Sequence, residues 1–185
     1  MSVIDSILEH NKKFVEERGF EAYETTKFPD KKLVILTCMD TRLIELLPKA
    51  MNISNGDAKV VKNAGAILTD PFDSVMRSII VALYELQADE VAVVGHYGCG
   101  MTGMNATPVV EKALDQGMEK STLESLEYAG VDVEKWLKGF DDVEVSVKNS
   151  VDLIRRHPFL PKGTPVHGLV ISPETGELTV VDKAE

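Results

Sequence analysis

The fold of this chain is decided by two short runs, KKLVILTC at residues 31–38 and DEVAVVGH at residues 89–96. Both are rich in β-branched and other apolar residues, a pattern typical of strands buried inside a sheet. A third run, AKVVKNAG at residues 58–65, predicts another strand that leads into a glycine-containing loop. The three runs therefore predict strands of one buried sheet.

Helical patterns separate these runs. Residues 71–88 predict a helix with Pro71 in its first turn, residues 102–139 predict two or more helices, and residues 143–157 predict another. Strands that alternate with helices imply parallel βαβ units. Residues 166–180 contain two strand-like runs around a PETG turn and predict a hairpin. The predicted fold is α/β, with a central, mostly parallel sheet flanked by helices and an antiparallel C-terminal edge strand.

A chain of 185 residues is long enough for one hydrophobic core, so we expect a single domain over residues 1–185. Within it, residues 1–28 are expected to form an N-terminal helical arm and residues 30–185 the α/β core. Residues 2–18 carry apolar side chains at helical spacing and stop at Gly19, which indicates an amphipathic helix.

Composition argues against several classes of partner. The net charge of −10 disfavours nucleic acid, whose phosphates attract Lys and Arg, and it disfavours anionic membrane surfaces. No apolar run reaches the roughly 20 residues of a membrane span, and the N-terminal sequence does not resemble a signal peptide. With only two cysteines, disulfide stapling is not expected. These features predict a cytoplasmic protein whose cysteines bind metal or take part in chemistry.

Metal-ligating residue types follow two of the predicted strands. The first run ends at Cys38 and is followed by Asp40 and Arg42. The run at 89–96 ends at His96 and is followed by Cys99. Loops at the carboxyl ends of parallel strands converge at one edge of a sheet. Thiolate and imidazole ligands favour zinc. The sequence therefore predicts a zinc site of Cys38, His96 and Cys99, with a fourth position left for water or for Asp40.

The role of Asp40 decides between a catalytic and a structural site. Arg42 can hold the Asp40 carboxylate in a charge-assisted pair, which leaves the fourth metal position open. If the pair breaks, Asp40 can become the fourth ligand, as in structural zinc sites with four protein ligands. A third interpretation is that Asp40 and Arg42 form only a weak surface ion pair.

Three segments together resemble the β-class carbonic anhydrases. They are Cys38-Met39-Asp40-Thr41-Arg42, Asn63-Ala64-Gly65 and Gly95-His96-Tyr97-Gly98-Cys99-Gly100. The compact length and the first motif look most like the shorter branch found in bacteria and archaea. Tyr97 departs from the family pattern, which commonly has a small hydroxyl residue at that position.

The resemblance implies that Cys38, His96 and Cys99 bind Zn²⁺ and that Asp40 and Arg42 form a catalytic dyad. Asn63, Ala64 and Gly65 would line the substrate pocket, and their backbone could donate an N–H to the substrate oxygens. The implied activity is reversible hydration of carbon dioxide to bicarbonate and a proton, by attack of zinc-bound hydroxide.

Two alternative functions remain open at this level. One is hydrolysis of carbonyl sulfide or carbon disulfide on the same scaffold, and the other is a non-catalytic protein whose zinc is closed off by Asp40. The family resemblance also implies a homodimer or a higher even oligomer. In such an assembly the N-terminal helices would reach onto the partner.

Overall fold

The computed structural model describes residues 2–184 and contains one five-stranded sheet with helices on both faces. The strands are β1 (Leu33–Cys38), β2 (Ala58–Asn63), β3 (Glu90–His96), β4 (Val166–Ile171) and β5 (Leu178–Asp182). Their order across the sheet is β2-β1-β3-β4-β5. The first four strands are parallel, and β5 pairs antiparallel with β4. The predicted fold class is confirmed.

Seven α-helices are found in the described part of the chain. They are α1 (Val3–Glu16), α2 (Leu43–Ala50), α3 (Ser74–Glu85), α4 (Thr107–Asp115), α5 (Lys120–Tyr128), α6 (Val133–Leu137) and α7 (Val143–Arg155). Short 3₁₀ turns occupy Gly19–Tyr23 and Ala64–Ala66. None of the described helices combines the length and the apolarity needed to cross a membrane.

Two helices differ from the sequence-based expectation. Helix α3 begins at Ser74, after Pro71, because the Asp73 carboxylate caps it by accepting the N–H of Met76 at 2.8 Å. Helix α2 was not predicted, since Pro48 lies inside it. It forms because Leu43 and Leu47, four residues apart, are both buried against the sheet.

The core is divided between the two faces of the sheet. On one face, Val34 and Leu36 of β1 pack with buried residues of α3 and α7. On the other face, Ile35 packs with the two buried leucines of α2. Helix α7 approaches β3 closely at Gly95, where a Cβ atom would lie 2.8 Å from Val147. A larger residue at position 95 would push the helix off the sheet.

Register brings the metal-ligating residue types to one edge of the sheet. Cys38 is the last residue of β1 and lies opposite Asn63, the last residue of β2. His96 is the last residue of β3, which lies on the other side of β1. The carboxyl ends of three adjacent parallel strands therefore meet at this edge, which is where open α/β sheets bind ligands.

Helix α1 packs differently from the other long helices. It begins with a capping box between Ser2 and Asp5, and none of its residues is buried. The exposed large apolar side chains of this helix are Val3, Ile4, Ile7, Leu8 and Val15. The division into an arm at 1–28 and a core at 30–185 stays a prediction.

Candidate metal centre

Two strands and one turn position the three side chains of the candidate metal centre. Cys38 ends β1, His96 ends β3, and Cys99 follows His96 in the next turn. All three residues are buried, with exposed fractions of 4%, 1% and 6%. Their possible ligand atoms all lie within 4.8 Å of one another. The structure thus brings together the three residues that the sequence predicted as a metal site.

The spacing of the two sulfur atoms fits a zinc ion. The Sγ atoms of Cys38 and Cys99 lie 3.9 Å apart, and both cysteines are free thiols. Two Zn–S bonds of about 2.3 Å at the tetrahedral angle would place the sulfur atoms about 3.8 Å apart. The two thiols are therefore already at the separation that a tetrahedral site requires.

The orientation of the His96 ring is fixed by its neighbour. Its Nδ1 lies 2.9 Å from the carbonyl oxygen of Tyr97, and a carbonyl can only accept a hydrogen bond. In the neutral ring Nδ1 therefore carries the proton, and Nε2 keeps a free lone pair. Nε2 is buried and makes no hydrogen bond with any residue in the described range 2–184. A buried acceptor without a partner fits a metal ligand.

The electrostatic environment differs between the two thiols. Burial opposes ionisation of Cys38, but the His96 side chain and the backbone N–H groups of Gly65 and Asp40 outweigh it and lower the pKa of Cys38 to about 7. Burial raises the pKa of the Cys99 thiol, and the neighbouring Cys38 adds to that effect. Interaction with Cys38 raises the pKa of the His96 imidazole. Cys38 is consequently the thiol that ionises more readily.

Asp40 and Arg42 form a close pair at the mouth of this group. Asp40 Oδ1 accepts hydrogen bonds from the backbone N–H of Arg42 at 2.9 Å and from its Nε at 3.0 Å. Asp40 Oδ2 accepts one from Arg42 Nη2 at 2.9 Å. The bidentate contact with Arg42 lowers the pKa of Asp40 to about 2, so the carboxylate is ionised at neutral pH.

The guanidinium of Arg42 also connects the two ligand-bearing loops. Its Nη2 donates to the carbonyl oxygen of Gly98 at 3.0 Å, between His96 and Cys99. One side chain thereby holds Asp40 and the turn that carries Cys99. The sequence predicted the pair between Asp40 and Arg42 but not this contact, because a carbonyl acceptor leaves no signal in residue type.

The segment Asn63-Ala64-Gly65 lies beside Cys38. The N–H of Gly65 points at the Sγ of Cys38, 3.3 Å away. Gly65 has a φ of +84°, a conformation that glycine adopts without strain. The Asn63 side chain closes the following loop by bonding both backbone groups of Ile67, at 2.6 and 3.2 Å. This segment thus contacts the Cys38 sulfur through the backbone N–H of Gly65.

Tyr97 makes a contact that sequence reasoning missed. Its hydroxyl donates to Glu144 Oε1 of α7 at 3.0 Å. The two residues are separated by 47 positions, so no local pattern could connect them. The departure of Tyr97 from the family pattern was the only available signal.

Comparison with protein families agrees with this geometry. A family model described as carbonic anhydrase matches residues 33–178. A Bacillus subtilis protein named "Putative carbonic anhydrase YvdA" is 63% identical over 181 residues, covering 98% of this chain and 92% of that protein. A carbon disulfide hydrolase of Saccharolobus solfataricus is 31% identical over 162 residues, covering 80% of this chain and 76% of that protein.

Solved structures give the same assignment. The crystal structure of β-carbonic anhydrase isoform I from Trichomonas vaginalis superposes with a TM-score of 0.89 at 33% identity, and all of both chains is covered. Three findings therefore lead to one assignment: the sheet order, the cluster at the ends of β1 and β3, and the family match over residues 33–178. This chain belongs to the β-carbonic anhydrase family.

Proposed function

We propose that this protein binds one zinc ion through Cys38, His96 and Cys99 and catalyses the reversible hydration of carbon dioxide to bicarbonate and a proton. The observation that carries the proposal is the position of Asp40 beside this trio. Its carboxylate is engaged by Arg42 through both oxygens, so three protein ligands rather than four are offered to the metal. Catalytic zinc sites have three protein ligands and an open position.

Zinc held by these residues would supply a hydroxide nucleophile by acidifying water near neutral pH. Two thiolates offset the formal charge of the ion, so this donor set acidifies water less strongly than three histidines would. Neighbouring groups must therefore assist. Asp40 is an ionised acceptor beside the trio, and its Oδ2 lies 3.7 Å from Nε2 of His96.

The low pKa of Asp40 defines what this carboxylate can do. With a pKa of about 2 it accepts a hydrogen bond from the attacking water but does not keep the proton at neutral pH. The proton released in the reaction must therefore pass to solvent or buffer. We assign Asp40 the orientation of the nucleophile and Arg42 the orientation of Asp40.

Asn63, Ala64 and Gly65 are proposed to line the substrate pocket. Their segment follows β2 at the same edge of the sheet as the trio, and Asn63 fixes the loop by its two bonds to Ile67. The Gly65 N–H is occupied by the Cys38 sulfur. Any backbone donor for substrate oxygens would thus come from another residue of the segment.

A second candidate function is hydrolysis of carbon disulfide or carbonyl sulfide at the same site. The sequence similarity to the Saccharolobus solfataricus carbon disulfide hydrolase supports this alternative. All three substrates present a linear carbon centre to the same nucleophile. Rates measured side by side on the three substrates decide between the two functions, and a larger kcat/KM on a sulfur substrate would reverse our preference.

We also propose a homodimer, or a higher even oligomer, in the cytoplasm. The dimer is supported by the exposed apolar side chains of α1, since none of the residues of that helix is buried within its own chain. Residues 2–18 would pack on the partner. A reducing compartment suits Cys38 and Cys99, which are both free thiols in a site that needs them reduced.

The decisive experiment is a stopped-flow hydration assay on zinc-loaded, zinc-stripped and zinc-restored protein. Hydration above the buffer rate should appear with zinc, disappear on stripping and return on restoration. A zinc-loaded protein that hydrates carbon dioxide no faster than buffer would overturn the proposal. In that case X-ray absorption showing a carboxylate ligand would support the non-catalytic alternative, with Asp40 as fourth ligand.

A further inference from the structure

The turn between His96 and Cys99 carries two of the three candidate ligands, and Tyr97 is its first residue. The backbone of Tyr97 is held on both sides. Its N–H donates to Ile171 of β4 at 3.1 Å, and its carbonyl oxygen lies 2.9 Å from Nδ1 of His96. The position of this carbonyl therefore sets the orientation of the His96 ring.

The side chain of Tyr97 ties the same residue to α7. Its hydroxyl donates to Glu144 Oε1 at 3.0 Å, and a hydrogen bond from a phenol to an ionised carboxylate is stronger than one between neutral groups. The Glu144 carboxylate lies in the first turn of α7, where the helix dipole favours a negative charge.

Helix α7 is a rigid anchor for this bond. Its N-terminus is fixed by Asp142, whose carboxylate accepts the N–H of Val145 at 2.9 Å. One turn further on, Val147 is buried in the core and packs against the flat surface left by Gly95 of β3. The backbone of α7 at Glu144 is thus held beside the strand that ends at His96.

We propose that Tyr97 and Glu144 form a brace that positions the His96–Cys99 turn and so controls metal retention and ligand geometry. Tyr97 is a positioning residue in this scheme, because it acts on the metal through the His96 ring. The inference rests on the proposed metal site, but it does not depend on which substrate the protein turns over.

Four variants separate the brace from other effects of the same side chains. Tyr97→Phe removes only the donor, and Glu144→Ala removes only the acceptor. Glu144→Gln removes the charge near the helix N-terminus but keeps an amide oxygen that can accept from Tyr97. Tyr128→Phe is the matched control, since Tyr128 is 97% exposed on α5.

The first readout is the rate of zinc release to an excess of chromogenic chelator. Loss of an outer hydrogen bond to a metal site typically weakens metal binding 10–100-fold, and this brace acts one residue further out. We therefore expect release about 10-fold faster in Tyr97→Phe and in Glu144→Ala. A further variant that combines Tyr97→Phe with Glu144→Ala should release zinc no faster than either single variant. Tyr128→Phe should release zinc at the wild-type rate. Glu144→Gln should release it at a rate between those of the wild type and Glu144→Ala, because the bond with Tyr97 is kept but is no longer charge-assisted.

The second readout is the absorption spectrum of the cobalt-substituted protein. Its d–d and thiolate-to-cobalt bands report ligand geometry, so they should shift in Tyr97→Phe and remain unchanged in Tyr128→Phe. A hydrogen bond that only stabilised the fold would lower the unfolding temperature without moving these bands. If Tyr97→Phe does not fold, Glu144→Ala carries both measurements.

The outcomes distinguish this inference from the function on which it rests. A wild-type chain that takes up neither zinc nor cobalt would overturn the metal site and the brace together. Normal metal uptake with wild-type release rates and spectra in both Tyr97→Phe and Glu144→Ala would overturn the brace alone. Faster release in Glu144→Gln equal to that in Glu144→Ala would assign the effect to the helix charge rather than to the bond with Tyr97.

Discussion

The Asp40 carboxylate lies 3.7 Å from Nε2 of His96 while both of its oxygens accept hydrogen bonds from Arg42. It is therefore close to the candidate metal centre, and the guanidinium and backbone N–H of Arg42 together hold it in place. The first prediction follows from this arrangement.

Arg42→Ala should leave the metal content unchanged and strongly reduce hydration at neutral pH. Without the guanidinium, Oδ2 of Asp40 loses its hydrogen bond and is released to take the fourth metal position, while the backbone N–H at position 42 still holds Oδ1. Misplacement of a catalytic group by about 1 Å can cost roughly 100-fold in rate. Stopped-flow hydration and metal analysis on the same sample test this. Arg156→Ala is the control, because Arg156 pairs with Asp152 at 3.7 Å on the exposed side of α7. Wild-type activity in Arg42→Ala would mean that the pair of Asp40 and Arg42 is only a surface ion pair without a catalytic role.

Cys38→Ser, His96→Ala and Cys99→Ser should each lose most of the bound zinc. Each substitution removes one of the three candidate ligands at a buried position, and a site with two protein ligands binds zinc far more weakly. Elemental analysis of the purified variants should give a zinc content well below the expected value of about one zinc ion per chain. Full zinc occupancy in any of the three would show that the residue concerned is not a ligand.

Metal uptake by the metal-free protein should become tighter as pH rises from about 6 to about 9. The thiols bind metal only as thiolates, so protons compete with zinc. Cys38 has a pKa of about 7, so it is largely ionised at the upper end of this range. Burial raises the pKa of Cys99, so this thiol must lose its proton when the metal binds. Calorimetry in buffers of different ionisation enthalpy should show more protons released per zinc at the lower pH. Proton release that does not change with pH would contradict these ionisation states.

Gly65→Ala should destabilise the fold and weaken metal retention. The residue has a φ of +84°, and an added Cβ would lie 2.9 Å from Ile67 Cδ1. Gly163→Ala is the matched control, since Gly163 has a φ of +82° with open space around it. The control should cost about 1 kcal/mol of unfolding free energy from backbone strain alone, and Gly65→Ala should cost more. If denaturant unfolding shows that both variants lose the same unfolding free energy, the loop at Gly65 accommodates the extra methyl group and the prediction is wrong.

Ile7→Glu together with Leu8→Glu should convert the assembly to monomers. Both side chains are exposed on α1 in the single chain, so the charges should not disturb the fold of a subunit. In a dimer that buries this stripe, each charge would be desolvated without a partner. Lys12→Glu changes a charged position on the same helix and should leave the assembly intact. Light scattering that gives a monomer for the wild type would refute the proposed role of residues 2–18.

The sequence predicted the parts of the fold that depend on local pattern. The β-branched runs that became β1 and β3 could be recognised because a buried strand needs continuous apolar residues. The ends of those runs carried Cys38 and His96, so a metal-ligating cluster could be expected at the edge of the sheet. Helix α2 could not be recognised from local pattern, because Pro48 disfavours a helix. It forms because burial of the helix against the sheet outweighs helix propensity there.

The chain alone thus determined the strands, the fold class and which residue types lie at the carboxyl ends of the strands. Only the tertiary structure decided that the two sulfur atoms lie 3.9 Å apart, that Arg42 also holds Gly98, and that Tyr97 reaches Glu144. The physical reason is the range of the interactions. Propensity and hydrophobic periodicity act within a few residues, whereas these contacts depend on how the sheet register and the packing of α7 bring distant segments together.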